Sequence, residues 1–225
     1  IMHSDSLRTS EGLGVLHLFC HFGVEVNKAR IIEIVDKANA SKIMQVVTVS
    51  ILGHKADLGF MVLSNDWMLL RKFQTDIAEA GLNVTDSYVS LTEISEYAAG
   101  VPEEMRQARL YPELPPEGKP AWCFYPMSKR RNPQQNWFTL DFEKRKELMY
   151  EHGASGRKFA GRVLQVITGS SGVDDYEWGV TLFCVHPDDL KEVVYTMRFD
   201  EASAEYAEFG PFYSGIVVNV NNLLS

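Results

Sequence analysis

EWGVTLFCVHPDDLKEVVYTMR (177–198) decides the fold. Its first part, EWGVTLFCV (177–185), is an apolar, β-branched and aromatic run of strand length. HPDDLKEVVYTMR (186–198) then changes period. Pro187 suits a first helical turn, and Leu190, Val193, Val194 and Met197 form one apolar stripe. The same succession occurs 120 residues earlier. LGFMVL (58–63) reads as a strand, and NDWMLLRKFQTDIAEAG (65–81) as a helix opened by Asn65 or Asp66 and closed by Gly81. Gly59 answers Gly179, Leu70 answers Leu190 and Ile77 answers Met197. A strand–helix pair repeated at a fixed offset implies an internal duplication.

Working outward, each copy completes to β-α-β-β-α-β. In the first, LGVLHLFCHF (13–22) is a strand, NKARIIEIVDKANA (27–40) a helix, MQVVTVSIL (44–52) a strand and TDSYVSLTEI (85–94) the last strand. In the second, NWFTL (136–140) reads as a short strand, DFEKRKELMYEHG (141–153) as a helix ending at Gly153, RVLQVITG (162–169) as a strand and FGPFYSGIVVNV (209–220) as the closing strand. The expected fold class is therefore α+β, with two tandem ferredoxin-like halves forming a dimeric α+β barrel-type subunit. The expected divisions are 1–96, a Pro-rich linker 97–133, and 134–225. Five prolines between 97 and 122 suggest a stiff, extended connection.

Composition narrows the function. The chain carries 30 acidic against 22 basic residues, a net charge of −8, which argues against general nucleic-acid binding. An anionic ligand would need a local cationic pocket. Cys20, Cys123 and Cys184 are odd in number, far apart and form no CxxC, so a reducing cytoplasm is the expected compartment. No apolar run approaches the roughly 18 residues of a membrane span, and the polar start IMHSDSLRTSEG lacks a signal-peptide core.

Several residues invite two readings. YPMSKRR (125–131) is either a solvated basic turn or a redox-capable phenol beside an anion site. His152 is either a helix C-terminal residue favoured by the dipole or a metal ligand. Gln165 shares a strand face with Val163 and Ile167, and is either a satisfied core amide or a donor into a pocket. Arg109, Lys129 and Arg198 are candidate partners for an acidic ligand, with Ser203 a further donor. His17 and His21 have i, i+4 spacing but no third ligand nearby, and His54 and His186 suggest no role.

ARLYPELPP (108–116), CFYPMSKRR (123–131), NWF (136–138), HGASGRKFAGRVLQVITGSSGVDDYEWGVTLF (152–183) and MRFDEASAEYAEFGPFY (197–213), in this order and spacing, resemble the coproheme decarboxylases of the chlorite dismutase-like superfamily. The likeness runs nearly continuously from about residue 106 to 215 and is thinner before it. It implies peroxide-dependent conversion of two propionates of iron-coproporphyrin III to vinyl groups, giving haem b and carbon dioxide. The substrate's own iron would serve as redox centre. By motif position His152 would be the iron ligand and Tyr125 the catalytic tyrosine. Arg109, Pro126, Met127, Ser128, Lys129 and Ser203 would join Tyr125 in holding the substrate, with Gln165 on the distal side where peroxide binds. The resemblance also implies a homopentamer and a linker that borders the pocket. Met127 and Trp137 would either pack against the ligand or fill the core. Phe138 stands where relatives often carry Tyr. Two rivals are a chlorite dismutase, for which position 165 would carry Arg, and a haem-binding or delivery protein without turnover, which needs no redox phenol.

Overall fold

A computed structural model describes residues 6–225. The opening residues of the polar start, 1–5, lie outside the described residues. β1 (Gly14–Phe22), α1 (Lys28–Ala40), β2 (Gln45–Ile51), β3 (Leu58–Ser64), α2 (Trp67–Glu79) and β4 (Leu82–Thr92) follow the expected order. Asn27 and Asp66 cap the two helices, their side chains accepting the backbone N–H of Arg30 and Met68. Then come α3 (Glu103–Leu110), β5 (Ala121–Lys129), the small hairpin β6 (Arg131–Asn132) and β7 (Gln135–Asn136), and α4 (Phe142–Arg157). The chain closes with β8 (Val163–Gly169), β9 (Trp178–Cys184), α5 (Pro187–Met197), α6 (Glu201–Ala204), β10 (Ala207–Phe209), β11 (Tyr213–Val218) and α7 (Val220–Leu224).

Four expectations are corrected. The 97–133 segment is not an extended linker throughout. Glu103 and Glu104 favour a helix start after Pro102, and α3 forms from EEMRQARL. NWFTL is not the first strand of the second copy: Trp137–Thr139 make a single 3-10 turn, with Asn136 accepting the N–H of Phe138. That strand is β5, which holds YPMSK inside the main sheet. The helix expected to stop at Gly153 runs on to Arg157, so His152 lies within α4 rather than at its end. The closing strand is broken between Phe209 and Tyr213. Pro211 has no N–H to give, and a side chain at Gly210 would collide with Pro126 and Tyr176.

Around the sheet the order is β5-β11-β2-β3-β1-β4-β8-β9, and β9 returns to β5, so eight strands close a barrel. β10 pairs with the far end of β5 and continues the line of β11. The first copy contributes β2-β3-β1-β4 and the second β8-β9-β5-β11, the same internal order twice. Antiparallel pairs β4–β8 and β11–β2 join them. Closure removes the free edges that each half alone would expose.

Strand alternation then sorts side chains by layer. Trp122 and Phe124 of β5 point inward to Phe19, Phe183 and Tyr213. Trp122, Phe124, Phe19 and Phe183 are at most 1% exposed, so the barrel interior is packed core. Cys123, Tyr125 and Met127 point outward with Val180, Leu182 and Val193. α1 and α2 cover the other half with Ile31, Val35, Phe73 and Ile77. The chemistry-bearing face of β5 therefore lies between the barrel wall and the helices of the second copy.

Candidate active site

α4 contains HGASG, with Gly153 and Gly156 in its body. A glycine inside a helix costs about 1 kcal/mol relative to alanine, so packing alone would not select two. Gly156 is one turn beyond His152 and so shares its face. A methyl group at Gly156 would sit 3.5 Å from Gln165 Nε2 and 3.6 Å from Met197 Cε, so α4 presents a low surface to β8 and α5.

His152 Nδ1 lies 2.9 Å from Asp200 Oδ2, and a carboxylate only accepts, so Nδ1 carries the proton. This leaves Nε2 as the electron-pair donor. Ser203 Oγ is 3.3 Å from the same Nδ1. Burial pushes the Asp200 carboxyl up, but hydrogen bonds from His152 and Ser203 outweigh it and hold the group below the usual carboxylate range. Asp200 also caps α6, accepting the N–H of Ser203 at 2.9 Å. A ring nitrogen fixed by a carboxylate is the arrangement that orients a metal-bound histidine and raises its basicity.

β5 supplies the second component. Its period of two sends Tyr125, Met127 and Lys129 to the helix side and Pro126 and Ser128 to the other. Ser128 Oγ accepts the N–H of Glu177, and Pro126 lies near Gly210 and Tyr176. Lys129 is 6% exposed, with Nζ donating to Ala202 O at 2.6 Å and lying 4.5 Å over the Trp137 ring. Burial lowers its pKa to about 8, against the opposing charges of Asp200 and Glu177. Trp137 packs with Leu148 and Ala202, so it is the floor beneath the ammonium. Tyr125 stacks on Phe212 at 4.5 Å and meets Phe209 edge-on at 5.7 Å. Burial, with Cys123 nearby, pushes its phenol pKa well up, and Arg198 partly offsets this. Among the described residues its hydroxyl makes no protein hydrogen bond, which leaves it available to a ligand.

Gln165 is on the outer face of β8, and its amide N–H finds only Met197 Sδ, at 3.6 Å. A thioether is a weak acceptor, so this amide is not a satisfied core group. The Arg198 guanidinium sits 4.1 Å over the Phe209 ring, beside Tyr125, a position that its sequence reading as a candidate anion partner did not specify. Asp200 was missed altogether. Its signal was the N-cap position in DEAS, which fits structural and functional roles alike. Arg109 stays apart from the cluster. It is exposed on α3 and makes no hydrogen bond or ion pair among the described residues. Residues 110–114 are pinned instead to the first copy through Thr92 and Gln45. Arg130 bonds Gln135 and Glu205, and Arg131 faces the exposed Phe138 ring, so of the three cations only Lys129 faces the site. His17 bonds Thr181 and His21 bonds Asp57, so each of these histidines has a protein partner.

An imidazole with Nε2 free, a low helical surface, a buried ammonium and an under-partnered amide fit an iron porphyrin bearing carboxylates. Fold and site together define a dimeric α+β barrel protein whose candidate site residues lie on elements of the second copy. The chain belongs to the chlorite dismutase family, whose model, described as Chlorite dismutase, matches residues 25–218. It is similar to a coproheme decarboxylase of Staphylococcus carnosus, 47% identical over 181 residues, covering 75% of this chain and 71% of that one. A coproheme decarboxylase of Staphylococcus saprophyticus is 45% identical over 186 residues, covering 77% and 73%. Among solved structures, a heme-binding protein from Thermus thermophilus superposes with a TM-score of 0.84 at 33% identity, covering 97% of this chain and 95% of that one. A chlorite dismutase from Candidatus Nitrospira defluvii, at 19% identity and a TM-score of 0.76 over 96% and 95% of the two chains, shares the fold. Among the described residues no helix is long and apolar enough to cross a membrane.

Proposed function

We propose that this chain is a coproheme decarboxylase that uses hydrogen peroxide to turn two propionates of iron-coproporphyrin III into vinyl groups, yielding haem b. The observation that carries the reading is an Asp200-fixed imidazole joined through α6 to the buried Lys129, which shares the outward face of β5 with Tyr125. Iron ligation would fall to His152 Nε2, and propionate recognition to Lys129, with Arg198 as a further cation and Ser203 as a further donor. Burying a carboxylate without such partners is costly. Met127 would line the pocket, and Pro126 and Ser128 would hold β5 in register from its other face. We place the boundary between the halves before β5. The reading includes a homopentamer in the cytoplasm.

When bound, the substrate's iron reduces peroxide to water and supplies the oxidising equivalents. Tyr125 then gives up an electron and its phenolic proton, and the resulting phenoxyl takes a hydrogen atom from the propionate methylene next to the ring. Loss of a second electron and of carbon dioxide leaves the vinyl group. Each conversion balances as propionate, peroxide and one proton giving vinyl, carbon dioxide and two waters. Gln165 would hydrogen-bond peroxide without taking its proton, since an amide is a poor base near neutral pH. The neutral amide also disfavours chlorite chemistry, for which the expected residue is a cation.

The test is direct. Protein loaded with iron-coproporphyrin III is titrated with peroxide and the porphyrins are weighed by mass spectrometry. Wild type should pass through a three-propionate species to haem b. Tyr125→Phe should bind the substrate with unchanged affinity and react with peroxide, yet leave all four propionates. An unchanged tetrapropionate in wild type would sink the reading, and haem b from Tyr125→Phe would remove the tyrosine from it.

A further inference from the structure

One short turn touches both functional ends of the site. Residues 200–203 begin at Asp200, whose Oδ2 takes the proton of His152 Nδ1 and whose Oδ1 takes the N–H of Ser203. Two residues on, the carbonyl of Ala202 takes the Lys129 ammonium at 2.6 Å. The turn is rigid, since Ala202 is fully buried against Trp137 and Leu148 and Asp200 caps it. Lys129 and His152 come from different elements, β5 and α4, and the turn bonds to both. Nothing in iron ligation or in carboxylate recognition taken separately requires that.

We propose that the 200–203 turn couples carboxylate recognition at Lys129 to iron ligation at His152, with Asp200 as the positioning residue. The inference rests on the coproheme decarboxylase reading. The sign follows from charge. Without a bound carboxylate the Lys129 ammonium, held on Ala202 O two residues after Asp200 in the chain, is offset by the nearby negative charges of Asp200 and Glu177. A propionate facing Lys129 takes over part of that role. Asp200 then accepts the His152 proton more strongly, and Nε2 becomes a stronger donor. Conversion of that propionate to an uncharged vinyl leaves the ammonium's field to Asp200 again and weakens the axial bond. Substrate is thus held more firmly at the iron than product, which favours exchange after reaction.

The experiment reads the iron–histidine stretching frequency by resonance Raman in the ferrous protein, with iron-coproporphyrin III and with haem b. In wild type the frequency should be higher with the tetrapropionate. Lys129→Met should remove the difference and leave both values near the higher one. Asp200→Asn, which retains N-cap capacity, should remove it with both values shifted down. Lys129→Arg should restore it. A difference that persists in both Lys129→Met and Asp200→Asn would assign it to the ring substituents and overturn the coupling. Absence of an iron–histidine band in every wild-type complex would reject His152 as ligand, and the coupling with it. A normal band with no dependence on propionates would reject the coupling alone.

Discussion

Lys129 is a residue whose chemistry is altered by its surroundings. Its ammonium is buried, so its pKa falls to about 8 in the ligand-free protein. A propionate beside it favours the charged form and raises that value again. Below pH 8 the group is charged both free and complexed, and binding carries no proton change from it. Above pH 8 the free protein has lost the proton that the complex retains, so binding must take one up. Affinity for metal-free coproporphyrin III, followed by fluorescence, should therefore be flat from pH 6.5 to 8 and then fall by about tenfold per pH unit. Lys129→Met should bind more weakly with that slope removed. An unchanged slope in the variant would assign the proton elsewhere. In the sequence Lys129 was one of three adjacent cations. What separated it from Arg130 and Arg131 was burial, which depends on Trp137 and on Ala202, the latter far along the chain.

At the scale of elements, α4 departs most from its sequence reading. Gly153 looked like a helix end because isolated glycine favours termination. Tertiary contacts carry the helix through it, with Leu148 packed on Trp137 and Ala202. The glycines instead lower one surface of the helix. Gly153→Ala should stabilise the ligand-free protein by about 0.5–1 kcal/mol, since the added methyl meets only the mobile end of Arg157, at 3.3 Å. Gly156→Leu should fold but lose porphyrin uptake, because its side chain must occupy the space between α4, Gln165 and Met197. Thermal melts and Soret titrations of the two variants check this. Normal uptake by Gly156→Leu would place the porphyrin elsewhere. β5 carries a parallel lesson. YPMSK was legible as a motif, but its strand character was obscured by Pro126, which is tolerated although β5 has neighbours on both sides. Its missing N–H leaves room for Gly210 N to bond the Pro126 carbonyl at 2.8 Å.

Across the whole molecule, the closed barrel creates a titratable interior. His17 is fully buried, stacked on Phe124 at 4.0 Å and bonded to Thr181 at 2.9 Å. Burial lowers its pKa to about 3. Between its unfolded value near 6.5 and about 3, the unfolded chain binds a proton that the folded chain does not. Stability from this group is complete above about pH 6.5 and is lost as pH falls below it. Urea unfolding between pH 6 and 4 should therefore weaken more steeply in wild type than in His17→Phe, by about 1.4 kcal/mol per pH unit. Parallel slopes would show that His17 stays outside the acid transition.

The sequence by itself determined the βαββαβ duplication and the superfamily resemblance, and it supplied residues that are proposed to act. These rest on local periodicity and on motifs read in order, which survive without coordinates. Arg109 is the exception among the cations, since the structure leaves it outside the cluster. Tertiary structure decided the rest: that β5 begins the second copy, that two four-stranded halves close into one ring, and that Tyr125 and Lys129 face the helices while Pro126 and Ser128 do not. It alone also brought Asp200 to His152, 48 residues away, and Ala202 to Lys129, 73 residues away. Hydrogen bonds across such separations depend on how strands and helices pack, and no local pattern encodes them.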